Sequence, residues 1–102
     1  MARLVAFYKT PKDKAAFDAY YTATHAPLAR KIPGLRGYTV SDGPVTAVAG
    51  AQDVYKVAVL EFDSLAALQA GLATPDGQAA AGDIPNFASG GVDLVVFDSK
   101  PA

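Results

Sequence analysis

Tyr20-Tyr21-Thr22-Ala23-Thr24-His25-Ala26-Pro27-Leu28, followed by Ile32-Pro33-Gly34-Leu35-Arg36-Gly37-Tyr38, is the stretch on which the fold turns. It carries the only histidine of the 102-residue chain. Upstream, Thr10-Pro11-Lys12-Asp13 is a helix start: Thr10 can cap, Pro11 suits the first helical position, and Asp13 stands where a capping-box acid reaches back. From there Phe17, Tyr20, Tyr21, Thr24 and Leu28 form one stripe at helical spacing. Pro27 disfavours helical geometry at Ala26 and removes a backbone donor, so a break or kink is expected at His25-Ala26. Pro33-Gly34 then signals a type II turn into a strand.

Outward from this stretch, four strands are expected: Arg3–Lys9, Arg36–Ser41, Val54–Phe62 and Val92–Phe97. Residues 45–53 are ambiguous, since Val45-Thr46-Ala47-Val48 could extend the second strand while Ala49-Gly50-Ala51-Gln52-Asp53 reads as loop. Asp63-Ser64 offers a cap for a helix from Leu65 to about Ala73, and Thr74-Pro75-Asp76 restarts a short one. Residues 83–91, beginning Asp83-Ile84-Pro85-Asn86-Phe87, read as a loop. The order βαββαβ is an α+β, ferredoxin-like sandwich with both helices on one sheet face, in a single domain spanning residues 1–102. The strands are apolar on both faces, so the face away from the helices needs a cover, and a second copy of the chain in a homodimer supplies one.

Composition narrows the function classes. Half of the residues are hydrophobic, and cysteine is absent, which excludes disulfides and thiolate chemistry. A net charge of −1 with dispersed basic residues gives no footprint for nucleic acid, and Arg30-Lys31 is too short a cluster to alter that. No stretch approaches the ~20 apolar residues of a membrane helix, so no membrane partner is expected and the cytoplasm is the default address. The glycines fall at turns and build no phosphate-binding loop, so no nucleotide cofactor is indicated. One histidine and no cysteine make no metal site, and no cofactor is expected.

His25 leads the candidates for chemistry because imidazole alone titrates near neutrality without perturbation. It also has a structural use at a helix end, where it complements the macrodipole and caps free carbonyls. Tyr38, at the start of a strand near the turn, can donate to a ligand carbonyl or enolate or can pack in the core. Tyr8, Tyr20 and Tyr21 fit a sheet–helix core with hydroxyls at its edge, and at most one is expected to face a pocket. No acid has motif-level spacing to His25. Asp83 and Asn86 can satisfy local backbone donors while Phe87 plugs the core, or the loop can cover a pocket mouth.

The His-Ala-Pro-Leu element at residues 25–28, the Pro-Gly-Leu-Arg-x-Tyr entry at residues 33–38 and the Asp-Ile-Pro-Asn-Phe segment at residues 83–87 together resemble the EthD family. The resemblance spans nearly the whole chain and implies a dimeric α+β barrel with a cleft for a small organic ligand. It places His25 in that cleft as a catalytic candidate and brings in Asp83 and Phe87 as ligand-binding candidates; from their positions Tyr38 joins the catalytic candidates and Tyr8 and Tyr21 the ligand-binding ones. It further implies a catabolic protein acting on a small oxygenated compound, as a cofactor-independent isomerase or an oxidoreductase-type enzyme with His25 moving a proton. The alternative it leaves is a non-catalytic binding or accessory protein. Relatives implied by the resemblance include lactone isomerases, some of which use a cysteine that this chain lacks.

Overall fold

The computed structural model describes all residues, Met1–Ala102. Four strands, β1 (Ala2–Tyr8), β2 (Leu35–Val40), β3 (Lys56–Phe62) and β4 (Val92–Asp98), form one antiparallel sheet in the order β2-β3-β1-β4. The helical segments are α1 (Lys14–Tyr20), a π-helical turn (Tyr21–His25), α2 (Ala26–Arg30), α3 (Leu65–Ala73), α4 (Pro75–Asp83) and a 3-10 turn (Ile84–Asn86). This is the α+β ferredoxin-like βαββαβ arrangement. No helix is long and apolar enough to cross a membrane.

Registers follow the alternation of side chains. In β1, Ala2, Leu4, Ala6 and Tyr8 join the core beneath the helices, together with Ala58, Leu60 and Phe62 of β3. The opposite face carries Val5 paired with Val59 and Val95, and Phe7 paired with Val57. No helix covers that face; the irregular segment flanks one end of it, where residues 45–54 border Phe7, Val57 and Val95.

Several local expectations shift. The first helix is capped by Asp13, whose carboxylate accepts from the Ala16 N–H, rather than by Thr10. The Thr10 hydroxyl instead donates to Asp53, pinning the irregular 41–55 segment, in which Val45–Val48 is not strand. Ser64 and Thr74 cap α3 and α4 through their hydroxyls, as their positions require. The stretch expected to be a loop from Asp83 is the end of α4 followed by the 3-10 turn.

The largest difference is at Pro27. The chain does not break at His25-Ala26 but stays helical to Arg30, with the backbone widened into a π turn in which the Ala26 N–H donates to the Tyr21 carbonyl. Pro27 has no N–H to give, and its ring crowds the carbonyl four residues back. Widening the turn relieves that crowding without ending the helix. The extra residue also changes which side chains face inward. Phe17, Tyr21, His25 and Ala29 are all buried at a strict spacing of four, which 3.6 residues per turn would carry off one face. Thr24, expected on the stripe, is exposed.

A second irregularity serves the same region. In β2, Leu35 pairs with Phe62 but Gly37 pairs with Glu61, so the strand bulges between them. Regular alternation would point Leu35 and Tyr38 to opposite faces. The bulge brings Tyr38 opposite Leu60, on the helix-facing side.

Candidate functional site

Between sheet and helices lies an apolar cavity of about 90 Å³. Of its sixteen lining residues only His25 and Gly77 are not hydrophobic. His25 comes from the π turn, Tyr8 from β1 and Tyr38 from the bulged strand. Tyr21 lines it as well, so two of Tyr8, Tyr20 and Tyr21 face the pocket where at most one was expected. The physical reason is the pair of irregularities: the π turn moves Tyr21 and His25 onto one face, and the bulge turns Tyr38 inward.

The imidazole is 5% exposed and is held from behind. His25 Nδ1 lies 3.0 Å from Asp83 Oδ2. The other carboxylate oxygen, Oδ1, accepts from the Tyr20 hydroxyl at 2.6 Å and from Asn86 Nδ2 at 3.1 Å. Asp83 is the last residue of α4, where the helix dipole disfavours an anion. Three donors offset that cost. Burial works to raise the Asp83 pKa, but the bonds from Tyr20, Asn86 and His25 outweigh it and hold the group below the usual carboxylate range. For His25, burial lowers the pKa below the ordinary imidazole value, against the opposing pull of Asp83.

Together these directions fix a neutral imidazole beside a carboxylate at neutral pH. Nδ1 therefore carries the proton and donates to Asp83, leaving the Nε2 lone pair free to accept. Nε2 faces the Tyr8 hydroxyl at 3.5 Å, too long for a strong hydrogen bond. The Tyr21 and Tyr38 hydroxyls pair with each other at 2.6 Å. Burial raises the pKa of Tyr8, Tyr21 and Tyr38 alike, so all three remain O–H donors across the physiological range. Every buried side-chain nitrogen and oxygen has a partner. No cluster of three His, Cys, Asp or Glu side chains converges anywhere in the fold.

Asp83 and Phe87 depart from their expected place at the pocket mouth. Neither lines the cavity. The segment that carries them is helix end rather than a loose lid, and it packs behind the imidazole. Phe87 is the hub of an aromatic cluster, with ring centroids 4.6 Å from His25 and 5.5 Å from both Tyr8 and Tyr20. Sequence reasoning assigned Tyr20 to the core and paired no acid with His25; the two bonds to Asp83 span 63 and 58 residues. A local signal existed in the Asp83-x-x-Asn86 spacing, which returns the asparagine amide to the carboxylate.

The EthD domain model matches residues 9–91. The chain belongs to the EthD family. An uncharacterized 11.0 kDa protein from the thcB-thcC intergenic region of Rhodococcus erythropolis is 38% identical over 101 residues, covering 98% of this chain and 96% of that protein. The crystal structure of an EthD family protein from Bacillus halodurans superposes with a TM-score of 0.88 at 37% identity, covering 98% of this chain and 99% of that one. SnoaB of Streptomyces nogalater, a cofactor-independent oxygenase, shares the fold at a TM-score of 0.67 and 18% identity, covering 99% and 94% of the two chains.

Proposed function

We propose that this EthD protein is a cofactor-independent proton-transfer catalyst acting on a small oxygenated organic compound, with His25 as general base and a homodimer as its working form. The observation that carries the reading is the Asp83–His25 pair, with Nδ1 held by a buried carboxylate and the ring lining an apolar cavity. A carboxylate in that position fixes the imidazole tautomer and stabilises the imidazolium that forms when Nε2 takes a proton. In the proposed step, Nε2 removes a proton from a carbon next to a carbonyl, and the C–H electron pair moves into the carbonyl to give an enolate. The enolate oxygen takes hydrogen bonds from Tyr38, Tyr21 or Tyr8, whose raised pKa values keep them protonated. Where the substrate carries a C=C bond β,γ to that carbonyl, the enolate is a dienolate, and return of the proton from the imidazolium to its γ-carbon completes a double-bond isomerisation with no redox change. General base catalysis of this type is worth roughly 10²–10⁴-fold.

The proposal that no cofactor is needed accords with the description of SnoaB, which uses the same fold. The homodimer reading rests on the apolar sheet face that no helix covers and on the dimeric α+β barrel architecture to which the structural relatives belong. A catabolic role and a cytoplasmic address complete the reading.

Hydrogen–deuterium exchange tests the chemistry without knowledge of the natural substrate. Small cyclic ketones and lactones are incubated with the protein in D₂O, and loss of the α-proton NMR signal is followed. Wild type should accelerate exchange for at least one compound, and His25→Ala should lose roughly 10²-fold or more of that acceleration. Equal exchange by both proteins would remove His25 from the role. Binding without exchange would favour the accessory-protein reading.

A further inference from the structure

Beyond the inner cavity, a second groove of about 270 Å³ opens at the end of the sheet between β2 and the helical run. Tyr21 and Tyr38 line both spaces, so this hydrogen-bonded pair is the partition between them. On its outer side the groove is lined by two cations, Arg30 at the end of α2 and Lys56 at the start of β3. The Lys56 ammonium stands 5.2 Å from the centroid of the Tyr21 ring. The Arg30 charge acts on the Tyr38 phenol, opposing the effect of burial. Neither cation has a carboxylate within ion-pair distance, whereas Arg3 and Arg36 have Glu61 and Asp63. Lys56 and Thr22 also line an adjoining polar recess that holds Asp18 and Asp42, but neither acid reaches ion-pair distance of Lys56, and Asp18 is bound to the Tyr55 hydroxyl. A chain with net charge −1 thus places two positive charges, each without an ion-pair partner, beside the partition that borders its histidine's cavity.

We propose that this groove holds the carboxylate of an amphipathic substrate between Arg30 and Lys56, while the apolar body reaches past Tyr21 and Tyr38 toward His25. The inference rests on the proton-transfer reading for what happens at His25, but not for the binding itself. Chemistry favours the division. The inner cavity offers no cation and would strip a carboxylate of water without return. The outer groove offers two cations at a solvated rim, where one Arg and one Lys bind a carboxylate at little desolvation cost. The span is short: the Lys56 ammonium and the His25 ring each lie 5.2 Å from the Tyr21 ring centroid, so one aromatic ring stands between the cation and the imidazole. As the ligand enters, its oxygen atoms take over the hydrogen bond that Tyr21 and Tyr38 now exchange. The substrate class is therefore a monocyclic or similarly compact carboxylic acid with an oxygenated ring or chain.

The test uses 4-methylbenzoate and its neutral counterpart 4-methylbenzamide as probes with the full-length protein. Binding is followed by calorimetry and by the His25 imidazole NMR signals, which have no other histidine to overlap them. The acid should bind roughly ten-fold or more tightly than the amide, the gap should shrink with added salt, and the imidazole signals should move. The double variant Arg30→Met, Lys56→Met should lose that preference while still binding the amide as wild type does, which also shows that it is folded. Equal affinity for acid and amide, absence of binding by either, or a preference that survives in the double variant would overturn the proposal. A carboxylate preference in a protein that shows no hydrogen exchange would leave this inference standing and remove the catalytic one.

Discussion

His25 Nδ1 and Asp83 Oδ2 lie 3.0 Å apart, both residues buried, with Tyr20 and Asn86 holding the far oxygen of the carboxylate. Burial lowers the imidazole pKa and Asp83 pulls the other way. Removing the carboxylate removes the upward pull. In Asp83→Asn the His25 pKa should fall further below its wild-type value, itself below 6.5. One imidazole in the chain gives one set of ring signals, so an NMR titration reads this directly. A pKa that rises on substitution would show that the two groups do not interact as their geometry requires. Carbon–hydrogen exchange, if His25 is its base, should keep its rate down to pH values below the ordinary imidazole range in wild type.

The same two groups set an acid limit on stability. Both folded pKa values lie below the ordinary values, so the unfolded chain binds more protons between the two states. Stability from His25 is complete above about pH 6.5 and is lost as pH falls through its depressed folded pKa. Asp83 adds a further loss below about pH 4, on the same sign rule. Thermal melts should therefore show Tm falling as the medium is acidified from neutrality, and His25→Gln should flatten the upper part of that fall. A Tm in wild type that rises from pH 7 to pH 5 would contradict the assigned charge states.

Tyr20 gives a narrower test of the support behind the imidazole. Its hydroxyl donates to Asp83 at 2.6 Å from a half-buried side chain whose ring stacks on Phe87. Tyr20→Phe keeps the ring and deletes the hydroxyl. The midpoint of urea unfolding should fall, because a hydrogen bond to a charged group is lost. The Asp83 pKa should rise, because one of the bonds holding it down is gone. An unchanged midpoint would mean that water replaces the phenol at no cost.

Much of this architecture was legible in the chain, and the exceptions share a cause. Strand positions, the Ser64 and Thr74 caps and the two-faced apolar sheet all follow from local pattern, and the structure places them within a residue or two. At Pro27 local rules predict a break or kink, because proline removes a donor and crowds the preceding turn. The chain had a third option in the π turn, and its signature, the four-residue spacing of Phe17, Tyr21, His25 and Ala29, was present but is not the helical period. The Asp83–His25 bond joins residues 58 apart, and no local spacing encodes it. Tyr38 was ambiguous for a similar reason: a single bulged residue decides which face it takes.

Gly77 marks the tightest helix contact and lines the cavity as well. A Cβ at this position would sit 2.3 Å from the Gly71 carbonyl oxygen and 2.6 Å from Leu72 Cα, both backbone atoms that cannot rotate away. Gly77→Ala must push α4 off α3, and α4 carries Asp83. The expected cost is about 1–3 kcal/mol, together with loosened positioning of His25 seen as broadened imidazole signals. Gly82→Ala is the control, since a Cβ there meets nothing within 4 Å. It should be neutral or slightly stabilising on helix propensity. Equal effects of the two substitutions would show that propensity, not packing, governs both.

The sheet face turned away from the helices decides the assembly. Val5, Phe7, Val57 and Val59 lie together on it, and on the edge strand Val95 and Phe97 are each 43% exposed. Exposed apolar side chains gathered on one face mark an interaction surface, and in the proposed homodimer two-fold pairing buries them with one self-complementary surface. Val59 points out of this face, whereas its neighbour Leu60 lines the inner cavity. Val59→Asp should therefore break the dimer and yield monomer or aggregate, while Val59→Leu should keep it. Leu60→Asp should fail differently, by unfolding the subunit itself. Sedimentation equilibrium distinguishes these cases. A wild-type protein that is a well-behaved monomer at micromolar concentration would refute the assignment, because the apolar face would then have no cover.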